Sequence, residues 1–327
     1  MPTLKTTATG QSATLTAASQ AGKNRSRWMQ CCRQCFAALF TMLLPAIAVA
    51  ELVVLDEAAP ALSGRLLKSA DWPGGKVALL LHGTLSHRDT EIIQSLETLL
   101  GDEGVSTLAV NLSLCVPARD GAFDCGAEHR HREQDATAEL ARWGAWLETQ
   151  GVGDFTLIGH SRGANQIARY VLEEQPATAR RLVLIAPPRW TEEGTERAYA
   201  ARHGAALTPL RDAAQQMVDA DNGAALLPQP AGLLYCADAR VSAESFLSYY
   251  RPDPLRDTPT LLARITLPTL VIAGSEDSIA TDLPGAFDDD LLHVRVEEID
   301  GADHFFRDLY ADELVEIAID FIHEYDD

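Results

Sequence analysis

The chain of 327 residues is long enough for one large α/β domain with a substantial core, and 46% of its residues are hydrophobic. Its formal net charge is −20, and all 47 acidic residues lie beyond residue 50, where 22 basic residues leave a net charge of −25. This acidity argues against nucleic acid and anionic membrane surfaces as partners, because both would be repelled at long range.

The first 50 residues differ from the rest of the chain, because they contain no Asp or Glu and carry five basic residues. An apolar stretch over residues 36–50, too short to span a bilayer comfortably, ends in Ala-Val-Ala before Glu51. This pattern is typical of a secretory signal peptide cleaved after Ala50, within a leader that starts at Met1 or at Met29. The sequence therefore predicts a periplasmic or secreted protein, with an uncleaved membrane anchor or a cytoplasmic location as alternatives.

Three of the six cysteines lie in this leader and three follow it: Cys31, Cys32, Cys35, Cys115, Cys125 and Cys236. Cys115 and Cys125 flank a loop with the turn-forming sequence Pro-Ala-Arg-Asp-Gly at 117–121. In an exported protein they are plausible disulfide partners. Two buried free thiols are the equally weighted alternative.

From Glu51 onward, short apolar runs alternate with amphipathic helices, which predicts a doubly wound, mostly parallel sheet. Leu52–Leu55 and Leu62–Leu67 favour weak edge strands, and residues 76–81 form the first buried strand. A helix over 90–100, a strand over 105–112, a polar loop over 113–128 and a helix over 132–148 follow. Polar loops of this length in compact domains usually carry function or are disordered.

The next predicted strand, residues 155–158, leads into Ser161 and a helix, and another buried strand covers 181–186. Residues 189–264 then interrupt the alternation with helix-like runs and more charge, Gly and Pro. Because an insertion between consecutive strands emerges at the edge of the sheet where ligands bind, we interpret it as a helical cap. Strands over 269–273 and 292–299 and a helix over 309–325 complete one domain over residues 51–327.

Residues 159–163 read Gly-His-Ser-Arg-Gly, a Gly-x-Ser-x-Gly pattern between a predicted strand and a predicted helix. A sharp turn there would expose the Ser161 hydroxyl, and the two glycines allow the strand and the helix to approach closely. A serine hydroxyl is a poor nucleophile, so it also needs a base and donors for an oxyanion. The pattern alone arises by chance in roughly one such chain in ten, so its surroundings decide its meaning.

Three further features follow predicted strands in the same way: His82-Gly83-Thr84, Asp277, and Gly301-Ala302-Asp303-His304. The carboxyl ends of parallel strands are neighbours in space, so these residues can meet. The order serine, acid, histidine matches one known arrangement of the catalytic triad. In these residues the chain resembles the α/β-hydrolase superfamily, and the resemblance extends from about Val77 to Ile322.

The resemblance implies a role for each residue. It implies that Ser161 is the nucleophile, that His304 is the general base and that Asp277 orients the histidine. Thr84 and Arg162 would supply the two backbone amides of the oxyanion hole. The implied mechanism is acyl transfer to Ser161 followed by attack of a water that His304 activates, and it needs no cofactor and no metal.

Several of these positions have alternative interpretations. Glu276 and Asp303 are other candidate acids, although a residue adjacent to the histidine points elsewhere along the backbone. His82 is interpreted as a structural residue under the oxyanion loop, and His160 as a residue that lines the turn.

Three other groups of side chains leave a choice between structure and function. Arg162 either contacts an acidic substrate group or, more commonly, is held by a structural carboxylate. His129 and His131 lack an established zinc spacing, which favours a surface cluster at a helix start over a metal site. The aromatic segment Tyr235–Tyr250 either packs the cap onto the sheet or forms a wall for the substrate.

The sequence therefore predicts a serine hydrolase that cleaves a small-molecule ester and acts outside the cytoplasm. We expect no association with nucleic acid and, after removal of the signal, no stable association with membranes. A peptidase or amidase is an alternative, since the same triad cleaves amides. A binding protein that keeps the fold without turnover is the alternative from another class.

Overall fold

The structure is a computed structural model, which describes residues 50–287 and 290–324. The predicted leader up to residue 49, with Cys31, Cys32 and Cys35, lies outside the described residues. Within these two described ranges, none of the helices has both the length and the apolar character that crossing a membrane requires.

The described residues form eleven strands and eight α-helices. The strands are β1 (Glu51–Leu55), β2 (Leu62–Leu67), β3 (Val77–Leu81), β4 (Ser106–Asn111), β5 (Glu128–His129), β6 (Phe155–His160), β7 (Ala179–Ile185), β8 (Ala231–Leu233), β9 (Cys236–Val241), β10 (Thr269–Gly274) and β11 (Val294–Ile299). The helices are α1 (Glu91–Asp102), α2 (Asp135–Thr149), α3 (Arg162–Glu174), α4 (Glu192–His203), α5 (Leu207–Asp219), α6 (Ala243–Tyr250), α7 (Thr258–Leu262) and α8 (Leu309–Glu324). Short 3₁₀ turns cover Pro254–Arg256 and Pro284–Ala286.

Eight strands form the main sheet in the order β1-β2-β4-β3-β6-β7-β10-β11. β2 pairs antiparallel with β1 and with β4, and the other neighbouring strands pair in parallel. The predicted doubly wound, mostly parallel sheet is thus confirmed. β1 is an edge strand as expected. β2 was also predicted as an edge strand, which is wrong, because it is hydrogen-bonded to β1 on one side and to β4 on the other.

The central strands are buried on both faces, which explains their continuous apolar sequences. In β3, Val77, Leu79 and Leu81 face one hydrophobic cluster, while Ala78 and Leu80 face another. The second cluster also contains residues of α1 and α8, and the first contains residues of α2 and α3. Helices therefore cover both faces of the sheet, and each fully buried leucine contributes about 1.5–3 kcal/mol by leaving water.

The residues between β7 and β10 contain four α-helices and the β8–β9 hairpin. β9 also pairs in parallel with β5, which lies in the loop before α2, so a second, three-stranded sheet has the order β5-β9-β8. The segment predicted as helical, residues 189–264, is therefore a mixture of helices and strands. The strands were missed because they are short and are stabilised by pairing with a distant segment rather than by local alternation.

The one disulfide among the described residues joins Cys125 to Cys236, whose Cα atoms are 5.4 Å apart. The expected pair Cys115–Cys125 is therefore wrong, and Cys115 is free and exposed. The physical reason is the pairing of β5 with β9, which brings Cys236 beside the residues that precede Glu128. The disulfide thus ties the 113–128 loop to the β8–β9 hairpin.

Candidate active site

Ser161 occupies a strained turn between β6 and α3. Its φ of 56° and ψ of −126° lie in a region that non-glycine residues rarely adopt, and its N–H donates to the Ile185 carbonyl at 2.8 Å. A Cβ at Gly163 would lie 2.3 Å from the carbonyl oxygen of His82, and one at Gly159 would lie 2.7 Å from Gly163. Only glycines permit this close approach, which holds the serine hydroxyl above the sheet.

A chain of hydrogen bonds joins Ser161, His304 and Asp277. His304 Nε2 lies 3.0 Å from Ser161 Oγ, and His304 Nδ1 lies 2.7 Å from Asp277 Oδ2. Ser161 follows β6, Asp277 follows β10 and His304 follows β11, so the parallel sheet brings together three distant parts of the chain. The spacing is that of a hydroxyl, a base and a group that orients the base.

The environment of Asp277 keeps its side chain ionised. Burial would raise the pKa of this carboxyl group, since it is only 7% exposed. The hydrogen bond from His304 and those from the N–H groups of Ala280 and Ile279 outweigh burial, so the pKa of Asp277 lies below its usual value. The ionised carboxylate favours a proton on Nδ1 of His304 and leaves Nε2 to accept one from the serine.

The two other candidate acids do not reach His304. Glu276 is exposed, while Asp303 accepts from the Phe305 N–H at 2.8 Å and from Arg307 at 3.1 Å. Both observations agree with the expected choice of Asp277 as the partner of the histidine.

The loop after β3 brings Thr84 beside Ser161, in the wall of the same cavity. His82 supports this loop from below, because its Nδ1 donates to the Gly83 carbonyl and its Nε2 accepts from the Leu112 N–H and from Arg119. Burial and then the charge of Arg119 lower the pKa of His82 to about 3, so the ring is neutral and accepts these bonds. His82 is therefore a structural residue, as interpreted from the sequence.

Arg162 is held by a buried carboxylate. Its Nη1 donates to Glu133 Oε1 at 2.7 Å, and its Nε donates to Thr84 Oγ1 at 3.3 Å. Glu133 is also bound by Arg256 at 2.7 Å, so one carboxylate connects α3 to the insertion. The commoner of the two expected roles of the Arg162 side chain is the one observed. Its backbone N–H lies in the first turn of α3, where donors have no acceptor within the helix.

A model of the family described as "Alpha/beta hydrolase family" matches residues 78–317, more than half of the chain. The chain belongs to the α/β hydrolase family. A search of curated proteins with the sequence found no significant match.

Solved structures similar to this α/β hydrolase include esterases and a thioesterase domain. Est1E from Butyrivibrio proteoclasticus with bound ferulic acid has a TM-score of 0.60 and 16% identity, covering 83% of this chain and 98% of its own. The Pyrococcus furiosus esterase Pf2001 has a TM-score of 0.57 and 17% identity, with 85% and 91% covered. The thioesterase domain from the curacin biosynthetic pathway has a TM-score of 0.52 and 17% identity, covering 84% of this chain and 99% of its own. At these identities the likeness concerns the fold.

Ser161 lines a cavity of about 350 Å³, which we name the serine cavity. Tyr235, from the turn between β8 and β9, and Phe305, next to His304, form aromatic parts of its wall and are 53% and 40% exposed. The other aromatic residues of the Tyr235–Tyr250 segment, such as Phe246 and Tyr249, are buried. The packing role is therefore observed for the buried rings, whereas a contact of Tyr235 with substrate stays a prediction.

His129 and His131 are not at the surface, so that expectation was wrong. Both are fully buried, because β5 pairs with β9 and α6 packs over them. Nδ1 of His129 lies 3.0 Å from Ser245 Oγ, and Nδ1 of His131 lies 2.9 Å from the Tyr249 hydroxyl. Among residues 50–287 and 290–324, no group of three or more His, Cys, Asp or Glu side chains is arranged to hold a metal ion.

Sequence reasoning missed how three residues support the site, although it placed one of them, His160, in the turn. His160 donates from Nε2 to the backbone carbonyl of His304 at 2.8 Å and so holds that segment in place. Glu133 anchors Arg162, and Arg119 anchors His82. His160 was visible in the motif, but it stands at the variable position, where residue type carries no signal. Glu133 and Arg119 come from other segments and have no local pattern.

Proposed function

We propose that this α/β hydrolase is a serine esterase that works through an acyl-enzyme. The observation that carries the proposal is the chain of hydrogen bonds from Ser161 through His304 to Asp277. Ser161 Oγ attacks the ester carbonyl while its proton passes to His304 Nε2, which then protonates the leaving alcohol. Water, deprotonated by the same nitrogen, attacks the acyl-enzyme and releases the acid, which restores the serine.

The tetrahedral intermediate carries a negative oxygen that needs preorganised donors. We assign these to the backbone N–H groups of Thr84 and Arg162, which flank Ser161 on the loop after β3 and at the start of α3. The bond from Arg162 Nε to Thr84 Oγ1 ties the two residues to each other, and Glu133 ties them to the insertion. Such a fixed arrangement lowers the cost of reorganisation during the reaction.

Covalent labelling with a fluorophosphonate probe tests the nucleophile. We expect the wild-type protein to label at Ser161 and Ser161→Ala not to label, with an unchanged circular dichroism spectrum. Ser86→Ala is the matched control, because it removes another hydroxyl from the serine cavity and should leave labelling intact. Persistent labelling of Ser161→Ala at a site residue would exclude the assignment, and an unlabelled wild-type protein would favour a binding protein without turnover.

The choice between esters and amides follows from a hydrolysis panel. Esterase activity is the proposal because esters need less activation than amides, and the similar structure Pf2001 is named as an esterase. We expect turnover of p-nitrophenyl esters and little turnover of aminoacyl anilides. The reverse order of kcat/KM would make the protein a peptidase or amidase.

We also propose that the protein is exported. The Cys125–Cys236 disulfide supports this, because disulfides persist in oxidising compartments. β1 begins at Glu51, so cleavage after Ala50 would leave this strand intact. Sequencing the N-terminus of the purified protein from the periplasm or medium should find Glu51, whereas a full-length protein in the cytoplasm would exclude export.

A further inference from the structure

A second cavity, of about 200 Å³, lies between α3, the segment after β7 and the insertion, and we name it the arginine cavity. Arg162, the residue that follows Ser161 in the chain, lines it. The turn between β8 and β9 separates the two cavities, because Leu234 lines the arginine cavity and Tyr235 lines the serine cavity. A volume below about 300 Å³ is too small for a whole drug-sized ligand and suits one end of a substrate.

The lining of the arginine cavity is positively charged, although the protein as a whole is strongly acidic. It includes one carboxylate and four guanidinium groups: Glu133, Arg162, Arg189, Arg202 and Arg256. Arg189 is paired with Asp257 at 2.9 Å, and Glu133 is shared by two of the other arginines. Among residues 50–287 and 290–324, two of these positive charges therefore have no compensating carboxylate.

Arg202 carries one of these charges, and its guanidinium group has few hydrogen bonds within the protein. Its guanidinium lies 4.8 Å from the centre of the Tyr235 ring, and it donates one long hydrogen bond, 3.4 Å, to the Leu234 carbonyl. Within the part of the chain that the structure describes, it has no carboxylate partner. Arg202 is exposed and lies in the last turn of α4, whose backbone is fixed by the Thr191 cap at its start and by Gly204, with a φ of 66°, at its end.

We propose that the arginine cavity binds a carboxylate group of the substrate, so that the preferred substrates are esters with an anionic end. The inference rests on the proposed esterase function and names its substrate class. The planar guanidinium of Arg202 matches the geometry of a carboxylate. The substrate would extend past Tyr235, with its ester carbonyl at Ser161 and its anionic end at Arg202.

Matched pairs of esters test the proposal. The pairs are p-nitrophenyl hexanoate with mono-p-nitrophenyl adipate, and the corresponding four-carbon and eight-carbon compounds, so that each pair differs in the terminal carboxylate. We expect wild-type kcat/KM to be higher for the anionic member at one chain length at least. Arg202→Gln should lower the ratio of anionic to neutral kcat/KM by about tenfold to a hundredfold, the range for a hydrogen bond to a charged group. Arg202→Lys should retain part of the preference.

Arg197→Gln is the control, because Arg197 lies on the same helix, pairs with Glu193 and does not line the cavity. It should leave the ratio at the wild-type value. The inference is overturned if the neutral ester is preferred at every chain length, or if Arg202→Gln lowers both rates by the same factor. If wild-type protein hydrolyses neither ester of any pair, the proposed function itself fails and the inference falls with it.

Discussion

Three buried histidines make the stability of this α/β hydrolase depend on pH above the range where carboxylates titrate. Burial lowers the pKa of His82 to about 3, of His129 to about 3 and of His160 to about 4, from an ordinary value of 6.5. The charges of Arg119, His131 and His304, respectively, lower these pKa values further. All three rings are therefore neutral in the folded protein at pH 5.

The unfolded chain binds protons at these rings as the pH falls through 6.5, whereas the folded protein does not until about pH 4. The unfolded state thus binds more protons, and the free energy of unfolding decreases with decreasing pH. Each ring contributes up to about 1.4 kcal/mol per pH unit, so three approach ~4 kcal/mol per unit near pH 5. The summed loss from pH 7 to pH 5 is about 6 kcal/mol, a large part of the 5–15 kcal/mol typical of domains.

Urea unfolding followed by tryptophan fluorescence, at intervals from pH 7 to pH 5, measures this loss. His129→Gln should reduce the slope by about one third, since it removes one of three groups. His323→Gln is the matched control, because His323 is exposed and should leave the slope unchanged. A loss below about 1 kcal/mol in wild-type protein over this range would refute the reasoning.

Two substitutions test how the fold holds the site. Replacing Cys125 and Cys236 by Ala opens a loop of 111 residues, and the free energy of unfolding should fall by up to about 5 kcal/mol. Cys115→Ala should not change the melting temperature, and equal stability of the double variant would contradict this account. Gly163→Ala places a Cβ 2.3 Å from a backbone oxygen, so we expect at least about a tenfold loss of kcat/KM on p-nitrophenyl esters, or poor folding. Gly153→Ala, with no heavy atom within 4 Å, should retain activity, and full activity of Gly163→Ala would contradict the close approach.

Local sequence patterns predicted the main sheet and the positions of the candidate site residues. The five apolar residues of β3, Val77–Leu81, indicated a strand that is buried on both faces, and the structure has one there. The motif around Ser161 predicted a strand, a tight turn and a helix, because two glycines at that spacing allow β6 and α3 to approach. Asp277 and His304 each follow the end of a predicted parallel strand, which placed both side chains at the same edge of the sheet.

Contacts between distant segments had no such signal. The partner of Cys125 depends on the pairing of β5 with β9, more than a hundred residues apart, and β5 has only two residues. The same pairing buries His129, which was expected in a surface cluster at a helix start because its spacing from His131 fits no established zinc site.

The sequence by itself thus determined the fold class and the order of the serine, the acid and the histidine, since buried strands and tight turns follow from neighbouring residues. Only the tertiary structure decided which charges line the arginine cavity. Glu133, Arg202 and Arg256 come from the loop before α2 and from the insertion, and nothing in their own segments marks them. Electrostatic environment is set by distances between segments, and these distances exist only once the chain has folded.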